Sequence, residues 1–261
     1  MFDFHLHSNI SFDSDAPAID IVKKAEFLGL KEICFTDHYD YNSDPQKTHN
    51  IFTIDEYKNA YKNLSSSTVT IRKGIEYGLT TWNKPQLNEL LSVYDFDFVI
   101  GSIHFVNGYD PYDAEYWEGN TVNRAIEKYF EETLKCLKIH DDFDVLGHLT
   151  YVCKYAPHAL LKSVNLKDFI NITDEIMKEL IEKGRGIEIN TSGIDKIGEF
   201  LPSADFLKRF KELGGEIVTV GTDSHDARRV GQHTDIALEI IKNIFGYVCT
   251  FEKRKPVFHK L

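Results

Sequence analysis

Long apolar runs and a basic, apolar leader are both missing from this 261-residue chain. A helix needs about 18 or more consecutive apolar residues to cross a bilayer, and no run approaches that length. The amino terminus has neither the basic segment nor the apolar segment of a secretion signal. These absences predict a protein that does not span a membrane and carries no signal peptide, and we expect it in the cytoplasm.

Cysteine is scarce, and the four cysteines lie far apart without CxxC spacing. Such scatter argues against a disulfide framework and against a cysteine-ligated zinc site. We therefore expect four buried, reduced thiols, at Cys34, Cys136, Cys153 and Cys249.

Positive charge is also in short supply, since 30 Lys and Arg face 41 Asp and Glu and the net charge is −11. This balance argues against a nucleic-acid backbone as the main partner. A site for a small anion would need its positive charge supplied locally, by metal ions or a few basic side chains. The one basic cluster, Lys253-Arg254-Lys255, is expected to be a solvated tail.

Strand and helix patterns alternate along the chain about seven times, without internal repeats. The composition, 42% hydrophobic and 27% charged, is that of a globular protein with a full-sized core, and we predict a single domain over residues 1–261. The predicted strands cover residues 1–7, 32–36, 69–77, 96–103, 144–147, 186–189 and 216–220, and residues 247–251 form either an eighth strand or a tail. Alternation of this kind predicts parallel strands, arranged as a closed barrel or an open sheet.

Potential metal ligands follow the carboxyl ends of the predicted strands. In an open sheet, ligands from opposite edges would lie too far apart to share a site. In a closed barrel, the strand ends surround one mouth, where barrel enzymes place their active sites. The distribution therefore favours closure. The residues are His5 and His7, His38, Glu76, His104, His148, Asp223 and His225.

Imidazole and carboxylate ligands without a thiolate suit Zn, Mn or Fe. A single histidine after a strand is more often structural than metal-binding, but so many in one arrangement reverse that judgement. There are too many ligands for one ion. We expect a site with two or three ions bridged by a carboxylate.

At this point the chain resembles the PHP (polymerase and histidinol phosphatase) superfamily of metal-dependent phosphoesterases, and within it the histidinol-phosphate phosphatases. The resemblance rests on motifs that occur in the family's order over residues 3–225. They are Asp3-Phe-His5-Leu-His7-Ser, Ser11-Phe-Asp13-Ser, Thr36-Asp37-His38, Gly74-Ile-Glu76, Gly101-Ser-Ile-His104, Gly147-His148-Leu, Asn190-Thr-Ser-Gly193 and Gly221-Thr-Asp223-Ser-His225.

The resemblance implies an α/β fold, a distorted, TIM-barrel-like (β/α)7 barrel, that holds three divalent ions. By position, one ion is bound by His5, His7, Glu76 and Asp223, and a second shares Glu76 and adds His104 and His148. The third is bound by Asp13, His38 and His225. Many relatives have a histidine where this chain has Asp13, and Asp15 is an alternative ligand. Asp37 either holds a ligand's second ring nitrogen or packs a strand.

Such a site would hydrolyse a phosphate ester. Bound ions lower the pKa of water, so a hydroxide that bridges two of them can attack phosphorus, while the third ion neutralises phosphoryl charge. We expect Glu76, Asp223 and His225 to be catalytic as well as metal-binding.

Contacts to the substrate are predicted for Lys154, Asn190, Ser192 and Arg229, with Arg228 as a further candidate. Each could instead be a solvated loop residue. The remaining histidines are expected to be superficial or structural; they are His49, His140, His158, His233 and His259.

The first hypothesis is a phosphomonoesterase that converts L-histidinol phosphate to L-histidinol and phosphate, in histidine biosynthesis. A second keeps the metals but changes the substrate to another small phosphate ester, a nucleotide or phosphotyrosine. A third is a non-catalytic binding module, which is disfavoured because such domains usually lose ligands and here every motif is filled.

Overall fold

The computed structural model describes residues 1–157 and 166–261. Within these residues the strands are β1 Phe2–Leu6, β2 Glu32–Phe35, β3 His38–Asp40, β4 Thr70–Gly78, β5 Phe98–Ser102, β6 Val145–Leu146, β7 Gly186–Asn190, β8 Val218–Gly221, β9 Tyr247–Glu252 and β10 Lys255–Lys260. The helices are α1 Ala18–Leu28, α2 Ile54–Tyr61, α3 Lys84–Val93, α4 Ala114–Trp117, α5 Val122–Ile139, α6 Tyr151–Tyr155, α7 Ile170–Glu182, α8 Ile194–Ile197, α9 Ala204–Glu212 and α10 Thr234–Ile244, with 3₁₀ turns at Leu166–Phe169 and Ala227–Arg229.

Seven parallel strands form the wall of a barrel, in the order β1-β2-β4-β5-β6-β7-β8. The two end strands meet at their carboxyl ends. There the His7 amide donates to the Ser224 carbonyl at 3.0 Å, and the Asp223 amide donates to the His5 carbonyl at 2.9 Å. The predicted α/β barrel is thus confirmed, and the contact that closes it joins two stretches of chain that carry potential ligands.

Helix α5 shows how the local sequence builds the outer layer. The Thr121 hydroxyl accepts a hydrogen bond from the Arg124 amide, which satisfies one of the free N–H groups at the helix start. The apolar residues of α5 recur every three to four positions and face the barrel. Among the described residues, no helix is both long and apolar enough to cross a membrane.

Helix α1 begins without a side-chain cap, because Pro17 occupies the N-cap position. The helix ends at a glycine. Gly29 adopts a left-handed conformation at φ 65°, which glycine reaches without steric cost.

Strand β3 is not among the predicted strands. It is only three residues long, and it pairs with the end of β4 so that His38 stands directly beside Glu76. Gly78 makes this pairing possible, because a Cβ at that position would collide with the Asp40 carboxylate. The short strand therefore brings His38 and Asp40 to the mouth of the barrel.

The chain after α10 is an antiparallel hairpin, β9–β10, that covers the amino end of the barrel. The Phe251 ring packs on Phe98 inside the barrel, with ring centroids 4.8 Å apart. At the hairpin turn, Arg254 Nε donates to Asp144 Oδ2 at 2.5 Å. The prediction that Lys253-Arg254-Lys255 is a solvated tail is therefore wrong for Arg254, which is held by a buried carboxylate.

Candidate metal centre

All the potential ligands identified in the sequence converge at the carboxyl end of the barrel. They lie within a strand or within two residues of its end, except for Asp13 and His225, which lie on neighbouring loops. Each is buried apart from these two loop residues. The strand ends therefore do bring into one cluster side chains that are more than 200 residues apart in sequence.

The first group consists of His5, His7, Glu76 and Asp223, and their ligand atoms lie within 4.8 Å of one another. The Nε2 atoms of His5 and His7 lie 3.2 and 3.5 Å from Glu76 Oε2. The same two nitrogens lie 3.7 and 3.3 Å from Asp223 Oδ1. Two imidazoles and two carboxylates thus point their ligand atoms at a common centre.

The second group, Glu76, His104 and His148, uses the other oxygen of the same carboxylate. The Nε2 atoms of His104 and His148 lie 3.2 and 2.8 Å from Glu76 Oε1. Glu76 therefore faces His104 and His148 with one oxygen and His5 and His7 with the other, which also lies 3.0 Å from His38 Nδ1. A carboxylate in this position can bridge two ions.

The third group is Asp13, His38 and His225. The Nε2 atoms of the two histidines are 3.3 Å apart, and Asp13 Oδ2 lies 3.6 Å from the first and 3.1 Å from the second. Asp15, the alternative ligand, forms no ion pair with either histidine, whereas Asp13 lies within 4 Å of both. The position of Asp13 therefore suits a ligand better than that of Asp15.

Hydrogen bonding and charge show that these residues fit divalent ions. Among the described residues, His5 Nε2, His7 Nε2 and Glu76 Oε2 are buried without a hydrogen-bond partner, although they point at one another. Burial would raise the pKa of Glu76, but His5, His104 and His38 lower it well below its usual range. An ionised carboxylate and unpaired ring nitrogens, buried together, make a site that a cation satisfies. The donor set fits a multi-metal site.

Two buried carboxylates that the motifs do not include hold the far sides of ligand rings. Glu188 Oε1 lies 2.7 Å from His5 Nδ1, and its other oxygen accepts from the His148 amide at 2.9 Å. Asp40 Oδ2 lies 3.0 Å from His104 Nδ1. Carboxylates in such positions orient a histidine and strengthen it as a ligand. The sequence signal for Glu188 is an acid between Ile187 and Ile189 in a buried strand.

Asp37 acts on the site indirectly. Its carboxylate accepts hydrogen bonds from the Ser8 amide, the Ser11 hydroxyl and the Tyr61 hydroxyl. Ser11 Oγ in turn lies 3.0 Å from His7 Nδ1. Asp37 thus connects to the His7 ring through Ser11. It does not hold the second ring nitrogen directly, as one alternative from the sequence had it, but it does more than pack a strand.

The four predicted substrate contacts fall in different places. Lys154 Nζ lies 2.8 Å from Ser192 Oγ and 3.4 Å from Asp223 Oδ2, so both residues stand at the first group. Asn190 is buried beneath them, donating to Glu188 and accepting from the Ser192 amide.

Arg229 is not brought to the site, because it pairs with Asp195 and does not line the mouth. Arg228 is exposed and pairs with Asp226.

The other histidines that are described have structural surroundings, as expected. His140 is buried and its Nε2 lies 2.8 Å from the Thr80 carbonyl. His49 accepts a hydrogen bond from the Asn42 amide. His233 lies within hydrogen-bonding distance of Asp195, and His259 lies within hydrogen-bonding distance of Thr250. His158 lies outside the described residues.

Comparisons with known proteins bear on this centre. The sequence model of the PHP domain matches residues 3–192. A probable histidinol-phosphatase of Clostridium acetobutylicum is 33% identical over 254 residues, covering 97% of this chain and 98% of the relative, and the histidinol-phosphatase of Lactococcus lactis subsp. lactis is 32% identical over 260 residues, covering 97% and 95%. A crystal structure of histidinol phosphate phosphatase from the same Lactococcus, complexed with Zn, L-histidinol and phosphate, superposes with a TM-score of 0.82 at 29% identity and covers 98% of each chain.

Proposed function

This chain belongs to the PHP domain family, and on that basis we propose that it is a metal-dependent phosphomonoesterase that hydrolyses L-histidinol phosphate to L-histidinol and phosphate in the cytoplasm. The observation that carries the proposal is the two-sided position of Glu76. One carboxylate faces two histidine pairs, in a fold that matches over almost its whole length an enzyme with Zn, L-histidinol and phosphate bound. The reaction is the phosphatase step of histidine biosynthesis.

The proposed ligands follow the three groups. His5, His7, Glu76 and Asp223 hold one ion, and Glu76 with His104 and His148 holds a second. His38, His225 and Asp13 hold a third. Zn is the ion in the matched structure, and the same imidazole and carboxylate donors also suit Mn and Fe.

Divalent ions bound there would supply a hydroxide at neutral pH and neutralise charge on the phosphoryl oxygens. The protein's part is to hold the ligands in one orientation. Glu188 fixes the His5 ring and Asp40 fixes the His104 ring, each through a hydrogen bond to Nδ1 that leaves Nε2 pointing at Glu76. Catalysis of this kind depends on charge placed before the reaction begins, which a buried and hydrogen-bonded cluster provides.

Lys154 is the proposed phosphate contact outside the ligand set. Burial would lower the pKa of its ammonium, but Asp223 outweighs this and raises it, so that the side chain stays charged at neutral pH. Its neighbour Ser192 donates to Asp223 Oδ2 at 3.2 Å and places a hydroxyl beside the same oxygen as the Lys154 ammonium. Together they form a short polar edge on which phosphoryl oxygens can rest.

A phosphate-release assay tests the proposal. The protein is loaded with Zn or Mn and offered histidinol phosphate, a sugar phosphate, a nucleotide and a phosphotyrosine peptide. We expect kcat/KM for histidinol phosphate to exceed the others by at least about a hundredfold, because a site with specific polar contacts rejects substrates that leave them unpaired. Equal rates would refute the substrate, and preference for the nucleotide or the peptide would assign the site to that ester.

A further inference from the structure

A buried hydroxyl contacts the carboxylate that the proposed ligand set shares between two ions. Ser102 is the last residue of β5, it is fully buried, and its Oγ donates to Glu76 Oε1 at 2.6 Å. The direction of this hydrogen bond is fixed, because an ionised carboxylate oxygen can only accept. Ser102 is not itself a proposed ligand, so its contact with Glu76 supports the metal centre from outside the ligand set.

The space for this hydroxyl is provided by Gly147, which directly follows β6. A Cβ at residue 147 would lie 2.5 Å from Ser102 Oγ and 2.7 Å from Ile100 Cγ2, so any other side chain would push the hydroxyl out of place. Ser102 comes from the motif that ends at His104, and Gly147 comes from the motif that contains His148. The non-ligand residues of two motifs therefore contribute to one hydrogen bond.

The two oxygens of Glu76 differ in their surroundings. Oε1 accepts from Ser102, whereas Oε2 has no hydrogen-bond partner within residues 1–157 and 166–261. The charge available to each ion also differs. The first group contains a second carboxylate, Asp223, while Glu76 supplies the only carboxylate of the second group. An ion in the second group would therefore depend for its negative ligand on the same oxygen that Ser102 holds.

We propose that Ser102 is a positioning residue that keeps Glu76 bridging, with one carboxylate oxygen turned towards each of two ions. The inference rests on the proposed function. A free carboxylate can also rotate and place both of its oxygens on a single ion. The hydrogen bond from Ser102 opposes this rotation, because rotation would break a charge-assisted bond inside the protein. Without the hydroxyl, the second ion should be lost first, since its group has no other carboxylate.

The test counts bound ions by elemental analysis after dialysis against increasing concentrations of a chelator, with Mn as the probe. In Ser102→Ala we expect the affinity for one of three ions to fall by about 10- to 100-fold, the range typical of groups that support metal ligands. The other two ions should be held at least as tightly as in the unmodified protein. Thr133→Val is the control, because it removes a buried hydroxyl that donates to the Tyr129 carbonyl on α5, and it should change no affinity.

Ser102→Cys separates hydrogen bonding from packing and leaves no void if Ser102→Ala folds poorly. A thiol fills the space but is only a weak donor, and Mn prefers oxygen and nitrogen ligands to sulfur, so affinity for the second ion should be only partly restored. Full restoration, equal weakening of all three ions, or unchanged affinities in Ser102→Ala would overturn the inference and leave the phosphatase assignment intact. If the unmodified protein retains no Mn and releases no phosphate from histidinol phosphate, the proposed function itself fails.

Discussion

The two ends of the barrel treat buried polar groups in opposite ways. At the carboxyl end, His5, His7 and Glu76 are fully buried, yet atoms that face one another have no hydrogen-bond partner among the described residues. At the amino end, the β9–β10 hairpin brings Phe251 onto Phe98, and a buried carboxylate there, Asp144, accepts from both Arg254 and the Val99 amide. The carboxyl end is left electrostatically incomplete, whereas the buried carboxylates Asp144 and Glu32 at the amino end are each paired with an arginine.

This contrast separates function from stability along the barrel axis. Unpaired buried donors and acceptors cost free energy, and a fold retains them where a bound ion or substrate completes them. Apolar contacts and paired charges at the other end contribute stability without chemistry. Substitutions at the two ends should therefore have different consequences, and their effects can be measured separately.

The largest effect is expected for Glu76→Gln at the carboxyl end. An amide offers only one acceptor oxygen and no charge, so it cannot serve both histidine pairs. We expect kcat/KM to fall by at least about a thousandfold, together with loss of bound metal measured by elemental analysis. Thermal unfolding of the metal-free variant should differ little from that of the unmodified protein.

The matched control is Glu182→Gln, which makes the same chemical change at an exposed position near the end of α7. It should leave metal content and turnover unaltered. Full activity in Glu76→Gln would refute the bridging role, and a large loss of metal-free stability would refute the division between the two ends.

Phe251→Ala tests the amino end. The ring is 2% exposed, and removing it leaves a cavity against Phe98, which should lower the free energy of unfolding by about 3–5 kcal/mol. Urea denaturation measures this loss. The folded fraction should keep its activity per bound metal, because no ligand touches the hairpin. Phe258→Ala, on the exposed face of the same hairpin at 51% exposure, should cost less than about 1 kcal/mol; equal costs would contradict the packing argument.

The carboxyl end could be predicted from sequence much more completely than the amino end, because its signals are local. His5 and His7 alternate on one strand, and each later ligand follows a recognisable apolar run. Parallel strands then place these positions together without any further information. The convergence of the proposed ligands at one mouth was therefore predictable, even though their contacts are not local.

What the sequence does not reveal are pairings between distant residues that have no motif. Glu188 is 183 positions from His5, so the sequence did not indicate which residue its buried carboxylate would pair with. Arg254 pairs with Asp144 across 110 positions and looked like part of a solvated tail. Strand β3 is too short for a periodic pattern, and its register comes from pairing with β4. In each case the deciding contact is tertiary.

Glu188→Gln tests whether a residue outside the proposed ligand set contributes to metal binding. The His5 ring loses its charged partner but keeps a hydrogen-bond acceptor at the same place. Metal affinity should fall by about 10- to 100-fold, measured by competition with a chelator, while saturating metal restores most of the turnover. Glu182→Gln again provides the control. Unchanged affinity would show that the carboxylate only packs the strand.

The smallest effect is expected for Arg254→Ala, and it should depend on pH. Burial raises the pKa of Asp144, and Arg254 opposes that rise, so the variant's carboxyl should have a higher pKa still. Ionised Asp144 then lacks its cation in the folded state, which should cost roughly 1–2 kcal/mol at pH 7. Lys255→Ala, at an exposed position of the same hairpin, should cost nothing measurable.

The sign of the pH dependence follows from proton linkage at Asp144. A carboxyl whose pKa is higher in the folded state than in the unfolded state penalises folding once the pH rises through its range, and the penalty disappears when the group is protonated in both states. The stability difference between Arg254→Ala and the unmodified protein should therefore shrink as the pH falls from 7 towards 4, as followed by urea denaturation of the metal-free proteins. A difference that is constant with pH would mean that Arg254 stabilises the amino end by packing alone.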